Sequence, residues 1–104
     1  MAKYLLLYSG GKIPASEAEQ AVVMKAWDSW FQGLGAAVAD GGNPFSPASK
    51  SVSSDGSITD GGGSATGYSI LEADSLAAAA DMAKGCPVLQ GGASIAVYET
   101  FDAM

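Results

Sequence analysis

From the amino-acid sequence the expected fold class is α+β: two strand–helix–strand units in tandem, with an extra hairpin between them. Three observations lead there. The chain opens on a strand pattern that is apolar on both faces. Two helical patterns follow along the chain, each bracketed by strand patterns. Between the two units, Asp55-Gly56 lies between two short runs suited to strands.

Each element has its own signal. In Lys3–Tyr8, Leu5 and Leu7 point one way and Tyr4, Leu6 and Tyr8 the other, as in strands covered on both sides. The Gly10-Gly11 turn and Pro14 end it. Ser16-Glu17-Ala18-Glu19 then forms a capping box at the start of a helix. That helix carries Val23, Trp27, Trp30, Phe31 and Leu34 at spacings of three and four, the stripe of a buried face. Gly33 and Gly35 weaken its last turn, so it is expected to end near Leu34. A short second strand fits Ala36–Asp40.

From Gly41 to Gly67 the chain holds seven of its fourteen glycines and two of its four prolines. Each side of this stretch is too small to hold a core, so residues 1–104 read as a single domain with a decorated middle. Ser51-Val52-Ser53 and Ser57-Ile58-Thr59 flank Asp55-Gly56, a hairpin signal. Asp60-Gly61-Gly62-Gly63-Ser64 reads as a loop, and Thr66–Glu72 as a strand with Tyr68 and Ile70 on one face. Asp74 is expected to cap a second helix over Ser75–Lys84 with Leu76, Ala79, Ala80 and Ala83 as its apolar face. Gly85 is expected to stop it in a left-handed conformation, and Pro87 prevents its resumption. The last strand is Ser94–Thr100, where Ile95 and Val97 alternate with Ala96 and Tyr98.

This order matches the ferredoxin-like plan of a doubled β-α-β unit. Right-handed crossovers put both helices on one face of the sheet, which leaves the other face bare. The first strand is nevertheless apolar on both sides, and Tyr68 or Leu71 must point away from the helices. A bare apolar face of several hundred square ångströms is a liability. Its economical cover is a second copy, a symmetric homodimer packed sheet to sheet.

Composition removes several functions. Five basic residues against eleven acidic ones give a net charge of −6, so neither nucleic acid nor an anionic membrane is an expected partner. No run approaches the ~20 apolar residues of a membrane span, and the apolar start is too short for a signal peptide. Histidine is absent, which removes Ser-His-Asp and Cys-His systems and His-ligated metals. The lone Cys86 forms neither an intramolecular disulfide nor a zinc cluster, and a reducing cytoplasm is the expected compartment. No cofactor is implied.

Several segments together resemble the YCII-related (DGPF-type) family. They are Lys3-Tyr4-Leu5-Leu6-Leu7-Tyr8, Asp40–Phe45, Asp60-Gly61-Gly62 before Gly67–Ile70, Ala83–Pro87 and Gly91–Ile95. The likeness spans almost the whole chain in element order. It implies a ferredoxin-like fold and a dimeric α/β barrel. The resemblance also implies a cleft in which some members carry a His-Asp pair. Here the first helix offers Met24, Trp27 and Trp30 where the histidine belongs, and Cys86 stands at the aspartate's place before the proline. Val88 fills a third position, a histidine in other relatives. The family's Asp-Gly-Pro-Phe signature is reduced to Asp60-Gly61-Gly62.

The candidate ligand-binding residues are Tyr8, Trp27, Asn43, Asp60, Tyr68 and Cys86; none is a catalytic candidate. Trp27, Trp30 and Phe31 either line an aromatic pocket or fill the core, as a helical stripe more often does. Tyr8 and Tyr68 fit a ligand-facing phenol and dimer packing equally. Asn43 reads as an orienting amide or a turn residue before Pro44. Asp60 lies in an anion-binding nest or a surface turn. Cys86 follows a helix C-terminus, whose negative end disfavours a thiolate. Two functions remain open: a dimeric barrel binding a small apolar or aromatic ligand, with a cofactor-independent oxygenase or isomerase as its enzymatic variant, or an interaction module. A closed cavity lined by Trp27, Tyr8 or Tyr68 favours the first. A packed interior beside an exposed apolar patch favours the second.

Overall fold

The computed structural model of the chain describes residues 2–11 and 16–103. Pro14, expected to end the first strand, lies outside them. β1 (Ala2–Ser9) is followed by α1 (Glu17–Leu34), a 3-10 turn at Gly35–Ala37 and β2 (Val38–Asp40). A short hairpin comes next, β3 (Lys50–Val52) and β4 (Ile58–Asp60). The second unit is β5 (Ala65–Ala73), α2 (Leu76–Ala83), a 3-10 turn at Pro87–Gly91 and β6 (Ser94–Glu99). The main sheet has the order β2-β5-β1-β6 with every pairing antiparallel. This is an α+β fold consistent with the ferredoxin-like plan.

Strand alternation sorts the side chains as read from the sequence. Tyr4, Leu6 and Tyr8 of β1 and Ser69, Leu71 and Ala73 of β5 are buried on one face. Ala79 and Ala83 of α2 pack there, with Trp27, Trp30 and Leu34 of α1 partly buried on the same core. Both helices therefore cover one face of the sheet. The register sets Leu7 beside Tyr68 and Ala96, and Leu5 beside Ile70 and Tyr98. Those six residues form the opposite, uncovered face. Lys3 and Glu72, paired in register, give it a charged margin. Among the described residues no helix is long and apolar enough to cross a membrane.

The helix ends follow their capping chemistry. Ser16 Oγ accepts from the Glu19 amide at 3.2 Å, as the capping box requires. Gly35, with φ 58°, closes α1, and its N–H donates to the Phe31 carbonyl. At α2 the cap is Ser75 and not Asp74: Ser75 Oγ accepts from the Ala78 amide at 3.1 Å. Gly85 is not left-handed either. Successive amides of Lys84, Gly85 and Cys86 donate three residues back instead, and this tightening ends the helix. Leu76 and Ala80 are exposed. The packed face of α2 is Ala78, Ala79, Met82 and Ala83, one position round from the expected one.

α1 covers less of the sheet than its stripe implied. Trp27 meets Tyr8 near the end of β1, so the ten residues before it, roughly 15 Å of helix, run past the sheet. Val22, Val23 and Met24 are exposed as a result. The shape is a slab of 44 × 39 × 18 Å with a radius of gyration of 15.2 Å, against about 13 Å for a compact chain of this length. Its accessible surface is 7231 Å², whereas a compact monomer of 10.4 kDa exposes only about 5,400 Å².

Candidate functional site

On the helix side of the sheet, three of the six candidate residues meet. Tyr8 on β1, Trp27 on α1 and Cys86 between α2 and the second 3-10 turn belong to one cluster. Tyr8 and Trp27 pack edge to face with ring centroids 5.5 Å apart. Trp27 contacts Trp30 and Phe31 at 5.7 and 5.6 Å. Helical spacing makes this stack, because residues three and four apart share a face. Trp30 Nε1 donates to the Met82 carbonyl at 3.2 Å, which satisfies the indole N–H and ties α1 to α2. Phe31 lies over Gly41, and Trp30 over Gly85. These rings occupy the space between sheet and helices; the interior is a packed aromatic core.

A short polar chain runs through it. Tyr8 Oη donates to Ser69 Oγ at 2.7 Å, and Ser69 Oγ donates to the Gly41 carbonyl at 2.8 Å. Among the described residues no buried side-chain polar atom lacks a hydrogen-bond partner. Ser69 was not among the residues singled out from the sequence. Its signal was there: a lone hydroxyl on the buried side of an alternating strand needs a partner. Ser69→Ala removes the acceptor of Tyr8 and the donor to Gly41. It is expected to cost about 1–3 kcal/mol, measured by urea unfolding; a loss within error would show that the chain contributes nothing.

The acid–base character of this cluster is inert at neutral pH. Burial raises the Tyr8 phenol far above its ordinary range, against a smaller lowering by Ser69. Burial also raises the Cys86 thiol, against smaller lowering by the Val88 amide and the Tyr8 hydroxyl beside it. Both groups stay protonated, and a protonated thiol is a poor nucleophile. A raised folded pKa contributes stability that is fully present below the unfolded values, about 8.5 for Cys and 10 for Tyr. That stability is lost as pH rises past them toward the folded values. The unfolding midpoint should therefore fall steadily from pH 8 to 11, and a flat profile would refute the assignment.

The other three candidates lie apart. Tyr68 sits on the uncovered face, stacked on Phe45 at 5.9 Å with its hydroxyl 3.5 Å from Asp40 Oδ2. Asn43 is exposed, and its backbone carbonyl accepts from the Tyr68 amide at 3.3 Å; it extends the pairing of β2 along β5. Asp60 is not in a loop. It is the last residue of β4, exposed, and paired with Lys50 Nζ at 2.6 Å, so the anion-nest reading of Asp60 is replaced by a hairpin ion pair. Two open grooves of about 610 and 600 Å³ flank the loop before β3. Pro44–Ser49 with Gly63–Ala65 line one, and Pro47–Lys50 with Asp60 and Gly61 the other. Among the described residues no three of His, Cys, Asp and Glu gather as metal ligands. Comparison of the chain with family models, with curated proteins and with solved structures found no match.

Proposed function

We propose that this chain is a homodimeric interaction domain of the dimeric α/β-barrel type, working by association and not by acid–base catalysis. One observation carries the reading. The face of Leu5, Leu7, Tyr68, Ile70, Ala96 and Tyr98 is apolar and uncovered, while the other face is filled to the rings. A second copy laid on that face gives a two-fold contact in which each patch meets itself. An apolar centre with a charged margin, here Lys3 and Glu72, is the usual anatomy of such a contact. The likeness to YCII-related proteins supports the same arrangement, and the replacement of that family's pair by Met24 or Trp27 on the helix and by Cys86 fits a scaffold that binds. Sedimentation velocity on the full chain at micromolar concentration tests it: about twice the chain mass is expected, and a single monomeric species rejects the reading.

A second reading has its own observation. Phe45, which stacks on Tyr68, lines the open groove of about 610 Å³, and aromatic side chains are among the usual lining of small-molecule sites. A small apolar or aromatic ligand would lie there, at the border of the dimer, and not between sheet and helices.

A further inference from the structure

The hairpin between the two units is a separate two-stranded sheet that follows on from the pairing of β2 with β5. Past Asp40, the pairing of β2 with β5 continues through the Asn43 carbonyl to the Tyr68 amide, the Pro44–Gly67 bridge and the Phe45 amide to the Thr66 carbonyl. After residues 46–48 and 62–64, which lie in neither sheet, the two segments pair again. The Gly61 amide donates to the Ser49 carbonyl, Lys50 pairs with Asp60, and Val52 with Ile58. The turn is well made: Ser53 and Ser57 are bonded through their backbones, and Asp55 Oδ1 accepts from the Ser57 amide at 2.9 Å. The result is a two-stranded arm leaving the sheet at the Ser9 end of β1.

This arm does not serve its own protomer. It lies within a slab only 18 Å thick, so it folds over neither face of its sheet. Val52 and Ile58 face the same way and are 69% and 64% exposed. An isolated two-stranded hairpin is at best marginally stable in water, and an exposed β-branched pair at its tip adds an unpaid apolar surface. A four-stranded face of this length projects roughly 500 Å² from strand spacing and rise, and a standard interface takes about 800 Å² of accessible surface from each partner. Arms laid on the second copy enlarge that contact. The surface excess over a compact monomer is ample for both face and arm.

We propose that the β3–β4 arm of one protomer packs on a second copy of the chain, with Val52 and Ile58 as its contact residues. The inference rests on the homodimer reading and adds to it a reciprocal pair of arms. The test compares the wild-type chain with the double variant Val52→Ser, Ile58→Ser in a dilution series by sedimentation velocity. Both substitutions are at exposed positions, and circular dichroism checks the fold. A dimer at least tenfold weaker in the variant is expected. Hydrogen exchange of wild-type amides 51–57, above and below the dissociation concentration, is the independent readout; protection only in the dimer is expected. Dissociation constants within twofold, with arm exchange independent of concentration, would overturn the arm and leave the sheet-face dimer standing. A wild-type chain monomeric throughout would remove the dimer, and the arm with it.

Discussion

Gly42→Ala is expected to destabilise the fold by about 3 kcal/mol or more, the largest loss expected from adding a single methyl group to this chain. Gly42 has φ 74°, and a Cβ there would be driven into the backbone carbonyl of Tyr68, with the Tyr68 carbonyl carbon and Ser69 Cα close behind. Backbone in the centre of a sheet has nowhere to move. The left-handed conformation alone costs a non-glycine residue of order 1 kcal/mol or more, and the collision adds to it. The same segment carries the Asp40 Oδ1 bond to the Gly42 amide at 2.8 Å and the Gly41 carbonyl that receives Ser69. Displacing it would unseat β2 and open the polar chain behind Tyr8. Gly63→Ala is the control: it has open space and no positive φ, and should lie within about 0.5 kcal/mol of wild type. Equal urea midpoints for the two variants would contradict this account of the loop.

On the proposed sheet-to-sheet dimer, Leu7→Asp is expected to separate the two copies while leaving the protomer folded. Leu7 lies near the middle of the uncovered face, flanked by Tyr68 and Ala96. In a lone protomer an aspartate there faces water. In the sheet-to-sheet contact it is a carboxylate without a partner in an apolar interface, and each protomer contributes one. A penalty of about 4 kcal/mol, within the range for an unpaired buried charge, corresponds to weakening by about three orders of magnitude. The spectroscopic signature of the fold should persist. If Leu7→Asp dimerises as well as the wild type, the interface lies elsewhere on the surface.

Much of this architecture can be read from alternation. Period two along β1, β5 and β6 placed Leu5 and Leu7 opposite Leu6 and Tyr8, and separated Ile95 and Val97 from Ala96 and Tyr98. Helical spacing collected Trp27, Trp30 and Leu34. What alternation leaves out is register between distant strands. Tyr8 pairs with Gly67, which sends Tyr68 to the far face, so the two phenols do not wall one cavity. A two-residue Asp55-Gly56 turn would set Asp60 opposite Ser51; the hairpin instead closes as a three-residue loop, Ser54–Gly56, between Ser53 and Ser57, which sets Asp60 opposite Lys50.

Local competition accounts for the remaining differences. Asp74 and Ser75 are both capping residues, and only the start of α2 at Leu76 chooses between them. Gly85 looked like a left-handed stop, but a run of three-residue turns into Pro87 does that work, and close contact with Trp30 explains a glycine there equally well. Nor does the stripe on α1 reveal how far the helix overhangs the sheet. That depends on where Trp27 lands along β1, a tertiary fact.

The most direct test of the sheet-to-sheet reading is isotope-filtered NMR on a sample mixed from labelled and unlabelled chains, which reports only contacts between protomers. The account predicts intermolecular contacts from the methyl groups of Leu5, Leu7 and Ile70 to the same face of the second copy. Intermolecular contacts confined to Val22, Val23 and Met24 of α1, or none from the sheet face at millimolar concentration, would contradict it.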